Sequence, residues 1–195
     1  MSSKQTGAAG PLPDEAKLVK LAKAGDQAAF AGLYDGYFER IYRYVYFRVA
    51  DEQTAEDLTS QVFLKAWENI GRYKPSGAPL LAWLYTIARN AVIDHYRTRK
   101  ETVALDEVIG LASQASAPDE QAELHIEADY LREALTTLTE DQQQVLVLKF
   151  ISGMTTEEIA RQLGKRAGAV RALQMRALQA LSKTMEEEEK TYDKF

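Results

Sequence analysis

Apolar residues recur every three or four positions along most of the chain, which is the spacing of a helix that buries one face. One set begins at Phe30, a second at Leu58, and a third follows Pro79. The sets are Phe30, Leu33, Tyr34, Tyr37, Ile41, Tyr44 and Val45, then Leu58, Val62, Phe63, Ala66, Trp67 and Ile70, then Leu80, Trp83, Leu84, Ile87, Ala88, Ala91 and Val92. The sequence shows no strand-like alternation of useful length. The pattern from Asp14 to about Lys100 therefore predicts one all-helical domain.

Cap and turn residues divide this domain into separate helices. Asp51 is typical of an N-cap, and Gly71 is expected to end the helix that Asp51 begins. The segment RYKPSGAP is rich in Pro and Gly and predicts a loop. Pro79 suits the start of the next helix because a helix leaves its first backbone N–H groups unpaired. Residues 1–13 are small, polar and proline-containing, so they predict a mobile arm.

The composition changes sharply at residues 101–130. This segment has no lysine or arginine, and its centre, GLASQASAPDE, has no clear helical period. Its eight acidic residues are Glu101, Asp106, Glu107, Asp119, Glu120, Glu123, Glu127 and Asp129. We interpret residues 101–130 as an acidic, flexible linker.

A second helical block covers residues 131–184, and a charged tail follows at 185–195. Thr139 is predicted to be an N-cap and Gly153 to end the helix that follows it. The apolar anchors of the block are Leu131, Leu135, Leu138, Val145, Leu146, Leu148 and Ile151. The predicted fold class is all-α, with two small helical domains joined by the acidic linker.

The second block contains a basic segment, residues 161–183, with six basic residues and no acidic one, in a chain of formal net charge -5. The stretch TTEEIARQLG precedes most of these basic residues. A short helix, a glycine turn and a basic second helix are typical of a helix-turn-helix. A helical wheel centred on Val170 places Leu173, Gln174, Ala177 and Leu181 on the inward face. The outward face carries Gly168, Ala172, Met175 and Gln179, flanked by Arg171 and Arg176.

These outward residues have the chemistry of a DNA-binding helix. Arg171 and Gln179 suit base edges, because arginine reads guanine and glutamine reads adenine through paired hydrogen bonds. Charged groups near the helix entrance position a protein on phosphates without reading sequence. The residues assigned to phosphates are Lys165, Arg166, Arg161 and Lys183. A solvated basic face is the alternative, but the absence of acids over this length favours DNA.

Composition excludes several function classes. The chain has no cysteine, and its two histidines, His95 and His125, lack ligand-like spacing. There is also no glycine-rich phosphate loop and no nucleophile elbow, so we expect no catalytic residue, no metal site, no cofactor and no enzymatic activity. No run approaches the roughly 18 apolar residues of a membrane span, and no signal peptide is recognisable. The expected location is the cytoplasm.

Four stretches carry a resemblance to a known family. In order they are AGDQAAFAGLYDGYFERIYRYVYFRV, DEQTAEDLTSQVFLKAWENI, LAWLYTIARNAVIDHYR and LTTLTEDQQQVLVLKFISGMTTEEIARQLGKRAGAVRALQMRAL. Together they resemble an alternative sigma factor of the extracytoplasmic-function (ECF) group of the sigma-70 family. The resemblance implies that residues 14–100 form the region 2 domain, which binds core polymerase and the −10 element. Residues 131–184 would form the region 4 helix-turn-helix domain, which binds the −35 element.

The resemblance also implies partners. They are RNA polymerase core, through the clamp helices of its largest subunit and the flap of the second largest, then promoter DNA and an anti-sigma factor. In related proteins the segment that corresponds to the acidic linker threads through polymerase channels built for nucleic acid. Its charge would mimic a phosphate chain there, and an ordinary disordered tether is an equal alternative.

Residue roles follow from the same resemblance. The polymerase-contact candidates are Glu56, Asp57, Leu58, Gln61 and Phe63. The −10 candidates are Arg72, Tyr73 and Lys74 beside the loop, Asn90 for a base edge, and Arg89, Arg97, Arg99 and Lys100 for phosphates. The −35 candidates are Arg161, Lys165, Arg166, Gly168, Arg171, Ala172, Met175, Arg176 and Gln179. The alternatives are a plain amphipathic core helix for residues 51–67 and a Tyr73 that only covers a helix end.

One departure from the family affects promoter choice. The family commonly has threonine and then serine-arginine in the recognition helix, where this chain has Ala169 and then Ala172-Leu173. Two usual polar DNA contacts are therefore absent, and Arg171, Met175 and Arg176 are expected to carry more of the recognition.

Two other functions stay open at this point. The chain could be a regulator that binds DNA without polymerase, in which case it would protect a specific duplex alone. It could also be a sigma mimic that sequesters an anti-sigma factor, although the basic DNA-facing residues of such a mimic would be expected to decay.

Overall fold

The computed structural model describes residues 10–49, 51–75, 79–103 and 130–192, apart from the side chains of 100–103 and 186–192. Every regular element among them is helical, with no strand. Most of the predicted mobile arm, nearly all of the acidic linker and the end of the charged tail lie outside the described residues.

The N-terminal domain is a bundle of antiparallel helices. Its elements are α1 (Glu15–Lys23), α2 (Gln27–Tyr46), α3 (Glu52–Asn69), a 3-10 turn (Ile70–Arg72) and α4 (Leu80–Val103). Asp51 caps α3 as the sequence predicts, since its carboxylate accepts a hydrogen bond from the Thr54 backbone N–H at 2.8 Å. Partial burial alone would raise the Asp51 pKa, but the hydrogen bonds from Thr54, together with the nearby Arg132 and His95, hold that pKa below its ordinary value.

Helix α2 lies at the centre of this bundle and packs against α1, α3 and α4. Tyr37, Ile41 and Val45 on its inward face are fully buried. Aromatic rings fill the space towards α3, with Tyr34 and Phe63 in edge contact at 4.7 Å between ring centroids. Burial of these large side chains supplies most of the driving force for the bundle.

Residues 10–13, which the sequence assigns to the mobile arm, lie against α2. Arg40 donates to the Gly10 carbonyl at 2.8 Å, and the Leu12 backbone N–H donates to the Tyr37 hydroxyl at 3.2 Å. Leu12 packs where Gly36 has no Cβ, because a Cβ there would overlap its side chain. An apolar anchor and a glycine facing it therefore hold this part of the arm, which composition alone did not indicate.

The C-terminal domain is a second, smaller bundle. Residues 130–136 are helical (α5), followed by α6 (Glu140–Leu146), a π-helical turn (Val147–Ile151), α7 (Thr156–Leu163) and α8 (Ala167–Tyr192). Thr139 is the N-cap residue of α6, as the sequence predicts, and its backbone N–H donates to the Gln142 side chain at 3.1 Å. The core of this domain consists of Leu135, Val145, Leu148, Ile159, Val170 and Ala177.

The two domains pack against each other and share one continuous apolar core. The π-helical turn contacts α2, and Gln143 on α6 donates to the Phe47 carbonyl at 3.3 Å. On α7, Gln162 donates to the Ala82 carbonyl at 2.9 Å and to the Thr86 hydroxyl at 3.0 Å. The C-terminal domain therefore covers one face of α2 and α4.

Neither a membrane-spanning helix nor a metal-binding cluster occurs among the described residues. No helix within them has both the length and the hydropathy needed to cross a membrane. They also contain no group of three or more acidic or histidine side chains placed to hold a metal ion.

Candidate nucleic-acid and polymerase interfaces

The helix-turn-helix is built by a capped helix and a left-handed glycine. The Thr155 hydroxyl accepts from the Glu158 backbone N–H at 3.2 Å, and the Glu158 carboxylate accepts from the Thr155 backbone N–H at 2.8 Å. This capping box begins α7. Gly164 ends α7 with φ 62, a conformation that a side chain disfavours, and this turn sets the angle at which α8 leaves.

Helix α8 has the two faces that the wheel predicts. Val170 and Ala177 are fully buried against the rest of the domain, and Leu173 is half-buried. The side chains on the opposite face are all exposed: Gly168, Arg171, Ala172, Met175, Arg176 and Gln179. Met175 is 59% exposed, which is unusual for an apolar side chain of this size. The α8 face is thus available to a partner.

Three basic side chains near this face have contacts within the chain. Arg171 pairs with Glu157 at 3.3 Å, Lys165 pairs with Asp141 at 2.9 Å, and Arg176 donates to the Ala172 carbonyl at 3.3 Å. Both ion pairs are open to solvent, which screens them, so each contributes little to stability. The pairs hold the cations at the surface and partly neutralise them. Arg161 and Arg166 are exposed as well.

Three of the −10 candidates, Arg72, Tyr73 and Asn90, line a cleft between α3 and α4. The cleft has a volume of about 430 Å³ and is lined by Lys65, Asn69, Arg72, Tyr73, Trp83, Ile87, Asn90 and Asp94. Arg72, Lys74 and Asn90 are exposed, as the role in DNA binding requires. The cleft combines aromatic surface with cations and amides, the groups that hold an unpaired base and its phosphate.

Tyr73 is more buried than a free stacking residue would be. Its side chain is only 8% exposed, and its ring lies 5.1 Å from the Trp83 ring. Lys23 on α1 donates to its carbonyl at 2.8 Å, which fixes the backbone at the loop entrance. Burial, with a smaller effect of Glu15, raises the pKa of the Tyr73 phenol. Tyr73 therefore forms a wall of the cleft.

The four predicted phosphate ligands of α4 have different surroundings. Arg97 pairs with Asp94 at 3.2 Å and stays largely exposed, and Arg99 is exposed. The Lys100 side chain lies outside the described residues. Arg89 faces the C-terminal domain, where its Nε donates to the side-chain amide oxygen (Oε1) of Gln144 at 3.0 Å and its Nη2 contacts Glu140 at 3.3 Å. The structure therefore separates Arg89 from the other members of its predicted set.

The polymerase-contact candidates on α3 differ in how deeply their side chains are buried. Glu56, Asp57 and Gln61 are exposed, whereas Leu58 and Phe63 are buried in the core. Sequence reasoning missed Leu64, which is 59% exposed and lies one turn beyond Gln61. The sequence signal for Leu64 was an apolar residue at a position outside the set that is predicted to face the core from α3. Leu64 therefore adds an apolar side chain to the exposed, acidic side of α3.

Sequence reasoning also missed the side chains that join the domains. Gln143 and Gln144 are buried and bond to α2 and to the turn after it, across the domain boundary. The available signal was a pair of glutamines next to the apolar residues Val145 and Leu146. Which surface the glutamines would meet was not readable from the chain.

Comparisons with known proteins agree with this architecture. The family description "Sigma-70 region 2" matches residues 33–102, and "Sigma-70, region 4" matches residues 128–181. The chain is 37% identical over 171 residues to the ECF RNA polymerase sigma factor BldN of Streptomyces coelicolor, covering 87% of this chain and 65% of that protein. It is 30% identical over 167 residues to the ECF RNA polymerase sigma factor SigK of Mycobacterium tuberculosis, covering 84% of this chain and 89% of that one.

Two solved structures have a similar fold. CnrH, in complex with the cytosolic domain of CnrY, matches with a TM-score of 0.70 at 24% identity, over 90% of this chain and 99% of that one. The sigma factor RpoE of Bartonella quintana, in complex with the anti-sigma factor NepR, matches with a TM-score of 0.67 at 25% identity, over 80% and 96%. Because both region descriptions match in order and the relatives are ECF sigma factors, the chain belongs to the ECF group of the sigma-70 family.

Proposed function

We propose that this chain is an alternative sigma factor that binds RNA polymerase core, recognises and opens promoters, and so starts transcription. The observation that carries the proposal is that each of its two family regions presents an exposed surface of suitable chemistry. The aromatic and cationic cleft belongs to region 2, and the outer face of α8 belongs to region 4. As the chain spans 65% of BldN, the activity is proposed for the residues present here.

The polymerase surface is assigned to the exposed side of α3. Asp57, Gln61 and Leu64 follow one another at helical spacing and share this side. Glu56 stands at its edge. An exposed leucine among acids and an amide fits a helical partner such as the polymerase clamp helices. The polymerase flap is then assigned to region 4. Leu58 and Phe63 support the surface by packing beneath it.

The −10 element is assigned to the cleft between α3 and α4. An unpaired base would enter beside Trp83 and Tyr73, with Asn90 offering an amide to its edge. Unstacking a base costs a few kcal/mol, and a pocket together with phosphate contacts offsets that cost. Arg72 lines the cleft and Lys74 lies beside it, so these two supply the charge, with Arg97, Arg99 and Lys100 as further candidates.

The −35 element is assigned to α8. Arg171 is placed to read a base edge, and Lys165 and Arg166 at the helix entrance are placed for phosphates. Ala169, Ala172 and Leu173 leave apolar side chains where the family commonly carries two hydroxyl groups and a guanidinium group. Arg171, Met175 and Arg176 then contribute more of the contact, so the preferred promoter differs from that of relatives.

An anti-sigma factor is proposed as a partner because RpoE of Bartonella quintana, which has a similar fold, forms a complex with one. The packed arrangement of the domains gives such a partner a physical basis. Arg89 is occupied by Glu140 and Gln144 in this arrangement, so a protein that holds the domains together would keep Arg89 from DNA. The proposed site of action is the cytoplasm, and the proposed action is binding without catalysis.

The experiment is run-off transcription with purified core polymerase, this chain and a library of promoter fragments. We expect selective initiation from a subset of fragments, and no specific protection of duplex DNA by the chain alone. Initiation without selection, or none at all, would contradict the proposal. Specific protection without polymerase would instead support the independent regulator.

A charge-reversed pair of variants assigns the polymerase surface. Asp57→Lys on α3 should reduce the affinity for core polymerase, because it places a cation in the centre of the proposed contact. Asp35→Lys on α2 is the matched control, a carboxylate outside that contact. Equal affinities of the two variants in a pull-down titration would remove α3 from the interface.

A further inference from the structure

Two arginines of the N-terminal domain approach the same phenol beneath the C-terminal domain. Arg48, in the turn after α2, donates from Nη1 to the Tyr44 hydroxyl at 2.8 Å. The Gln144 side-chain Nε2 donates to the same hydroxyl at 3.5 Å, and the Oε1 of the same amide accepts from Arg89 at 3.0 Å. The guanidinium groups of Arg48 and Arg89 therefore belong to one polar network that crosses the domain boundary.

Arg48 is buried, and no ion pair links it to a carboxylate among the described residues. It is only 1% exposed, and its Nε has no hydrogen-bond partner among those residues. Its guanidinium carbon lies 5.5 Å from the centre of the Tyr44 ring, and its side chain lines a cavity beside Leu138 and Gln143. The last two residues belong to the C-terminal domain, so that domain contributes to the burial of Arg48.

The charges of this network do not balance. Burial raises the pKa of the Tyr44 phenol even though Arg48 and Arg89 oppose the rise, so the phenol stays neutral. Glu140 contacts Arg89 and is half exposed, which leaves one carboxylate for two guanidinium groups. Burying an unpaired guanidinium disfavours the packed arrangement. The packing of the domains therefore does not explain why an arginine stands at position 48.

We propose that Arg48 and Arg89 form an anion site on the N-terminal domain that takes a phosphodiester of nucleic acid when the domains separate. In the packed arrangement the Glu140 carboxylate and the side-chain amide oxygen of Gln144 occupy Arg89 in place of that phosphate. The proposal rests on the function proposed above and adds Arg48, which no resemblance assigns to DNA. Planar guanidinium groups are suited to phosphate oxygens because their N–H donors form a fixed fork.

Domain packing and nucleic acid then compete for the same side chains. A ligand that binds only the separated form shifts the equilibrium towards it. Replacing Arg48 by a neutral residue should weaken DNA binding, because it removes a phosphate ligand from the separated form. The same change should stabilise the packed form, because it removes a buried charge.

The test is the salt dependence of promoter binding by holoenzyme assembled with Arg48→Met. The slope of log affinity against log salt should fall by about 0.9 for each phosphate of duplex DNA that the variant no longer binds, or about 0.7 for each phosphate of single-stranded DNA. Lys20→Met is the matched control, because it removes one exposed cation from α1, and its slope should equal that of the wild type. An unchanged slope for Arg48→Met would overturn the proposal.

Two further measurements separate the possible failures. Arg48→Gln repeats the charge removal with a polar side chain, and if neither neutral variant folds, Arg48 is a structural residue and the proposal is wrong. Glu140→Gln removes the carboxylate that stands in for phosphate, so it should lower the packed fraction of the free chain; an unchanged packed fraction would contradict that stand-in role. If wild-type holoenzyme initiates selectively while the Arg48 slope is unchanged, this inference fails alone. If wild-type chain does not initiate at all, the proposed function fails.

Discussion

At the residue scale, the chain often places a functional side chain next to one that restrains it. Arg171 on α8 pairs with Glu157 on α7, and Lys165 pairs with Asp141 on α6. These acids lie outside the basic segment in sequence, and only the fold brings them to it. In the proposed DNA complex, phosphates and base edges would replace these acids, so each acid would lower the net free energy gained on binding.

The Arg171 pair gives the first prediction. Arg171→Ala should weaken −35 binding by holoenzyme by about 1–3 kcal/mol if the side chain makes a good paired contact with a base. Glu157→Gln should strengthen binding, because it removes the competing carboxylate. Affinities are measured by filter binding on a selected promoter and on one with a changed −35 element. If Arg171→Ala weakens both promoters equally, Arg171 contacts phosphate and does not read sequence.

The capping box of α7 gives a prediction about pH. Hydrogen bonds from the Thr155 backbone and hydroxyl hold the pKa of Glu158 below its ordinary value of 4.5. A lowered folded pKa means that this contribution to stability is complete above the unfolded pKa and is lost as pH falls through the folded one. Wild type should therefore lose more stability on acidification than Glu158→Gln, measured as urea midpoints between pH 7 and about 3. Parallel curves for the two proteins would contradict this.

At the element scale, the helix-turn-helix depends on one backbone conformation and on the sides of α8. Gly164 has φ 62 between α7 and α8, whereas Gly168 lies near the start of α8 with open space around its Cα. The helical spacing in α8 then places Val170 and Ala177 in the core and the basic residues outside. A turn with different backbone angles would change the orientation of α8 and therefore the direction in which its basic face points.

These two glycines form a matched pair. Gly164→Ala should destabilise the protein by about 1–2 kcal/mol, because a left-handed conformation is unfavourable for a residue with a Cβ. Gly168→Ala should instead stabilise it by up to about 1 kcal/mol, because alanine loses less entropy in a helix. Both values come from urea unfolding. Equal effects of the two substitutions would mean that Gly164 does not need its positive φ.

At the scale of the whole molecule, the packed arrangement covers part of the surface that we propose region 2 uses to bind DNA. Arg89 and Arg48 lie under the C-terminal domain, whereas the α3 surface and the cleft beside Trp83 stay open. Gln143, Gln144 and Gln162 supply polar contacts between the domains. Separation exchanges these polar contacts with water at little net cost but also exposes apolar surface, so a partner that binds the separated form has to offset that exposure.

Separation on polymerase is the prediction at this scale. The chain has no cysteine, so Lys20→Cys with Ser182→Cys allows one dye on each domain without other labelled sites. Energy transfer should fall when core polymerase is added, because the α2 and α4 face is released for DNA. Adding promoter DNA without polymerase should change it much less. If energy transfer does not change when core polymerase is added, the packed arrangement persists in the holoenzyme.

The helices and their inward faces were predictable from sequence because helix formation is local. Spacing alone placed Ile41 and Val170 in the core, and the side-chain chemistry of Asp51 and Thr139 placed helix starts. Each of these features depends on residues within one or two turns. Exposure of the α8 basic face followed from the same periodicity.

The candidate site was only partly predictable. Residue types at the cleft and on α8 followed from charge, loop composition and resemblance. The burial of Tyr73, the separation of Arg89 from its predicted set, and the docking of residues 10–13 did not follow. Each depends on a partner outside its own helix or loop, such as Trp83 for the first and Gln144 for the second.

The sequence by itself therefore determined an all-helical chain of two domains with a basic helix-turn-helix, because short-range periodicity, caps and charge encode these features. Only the tertiary structure decided that the domains pack together, that glutamines join them, and that Arg48 is buried without an ion-pair partner among the described residues. The reason is physical: contacts between domains depend on the shapes of two complete surfaces, and residues about a hundred positions apart leave no common period in the chain.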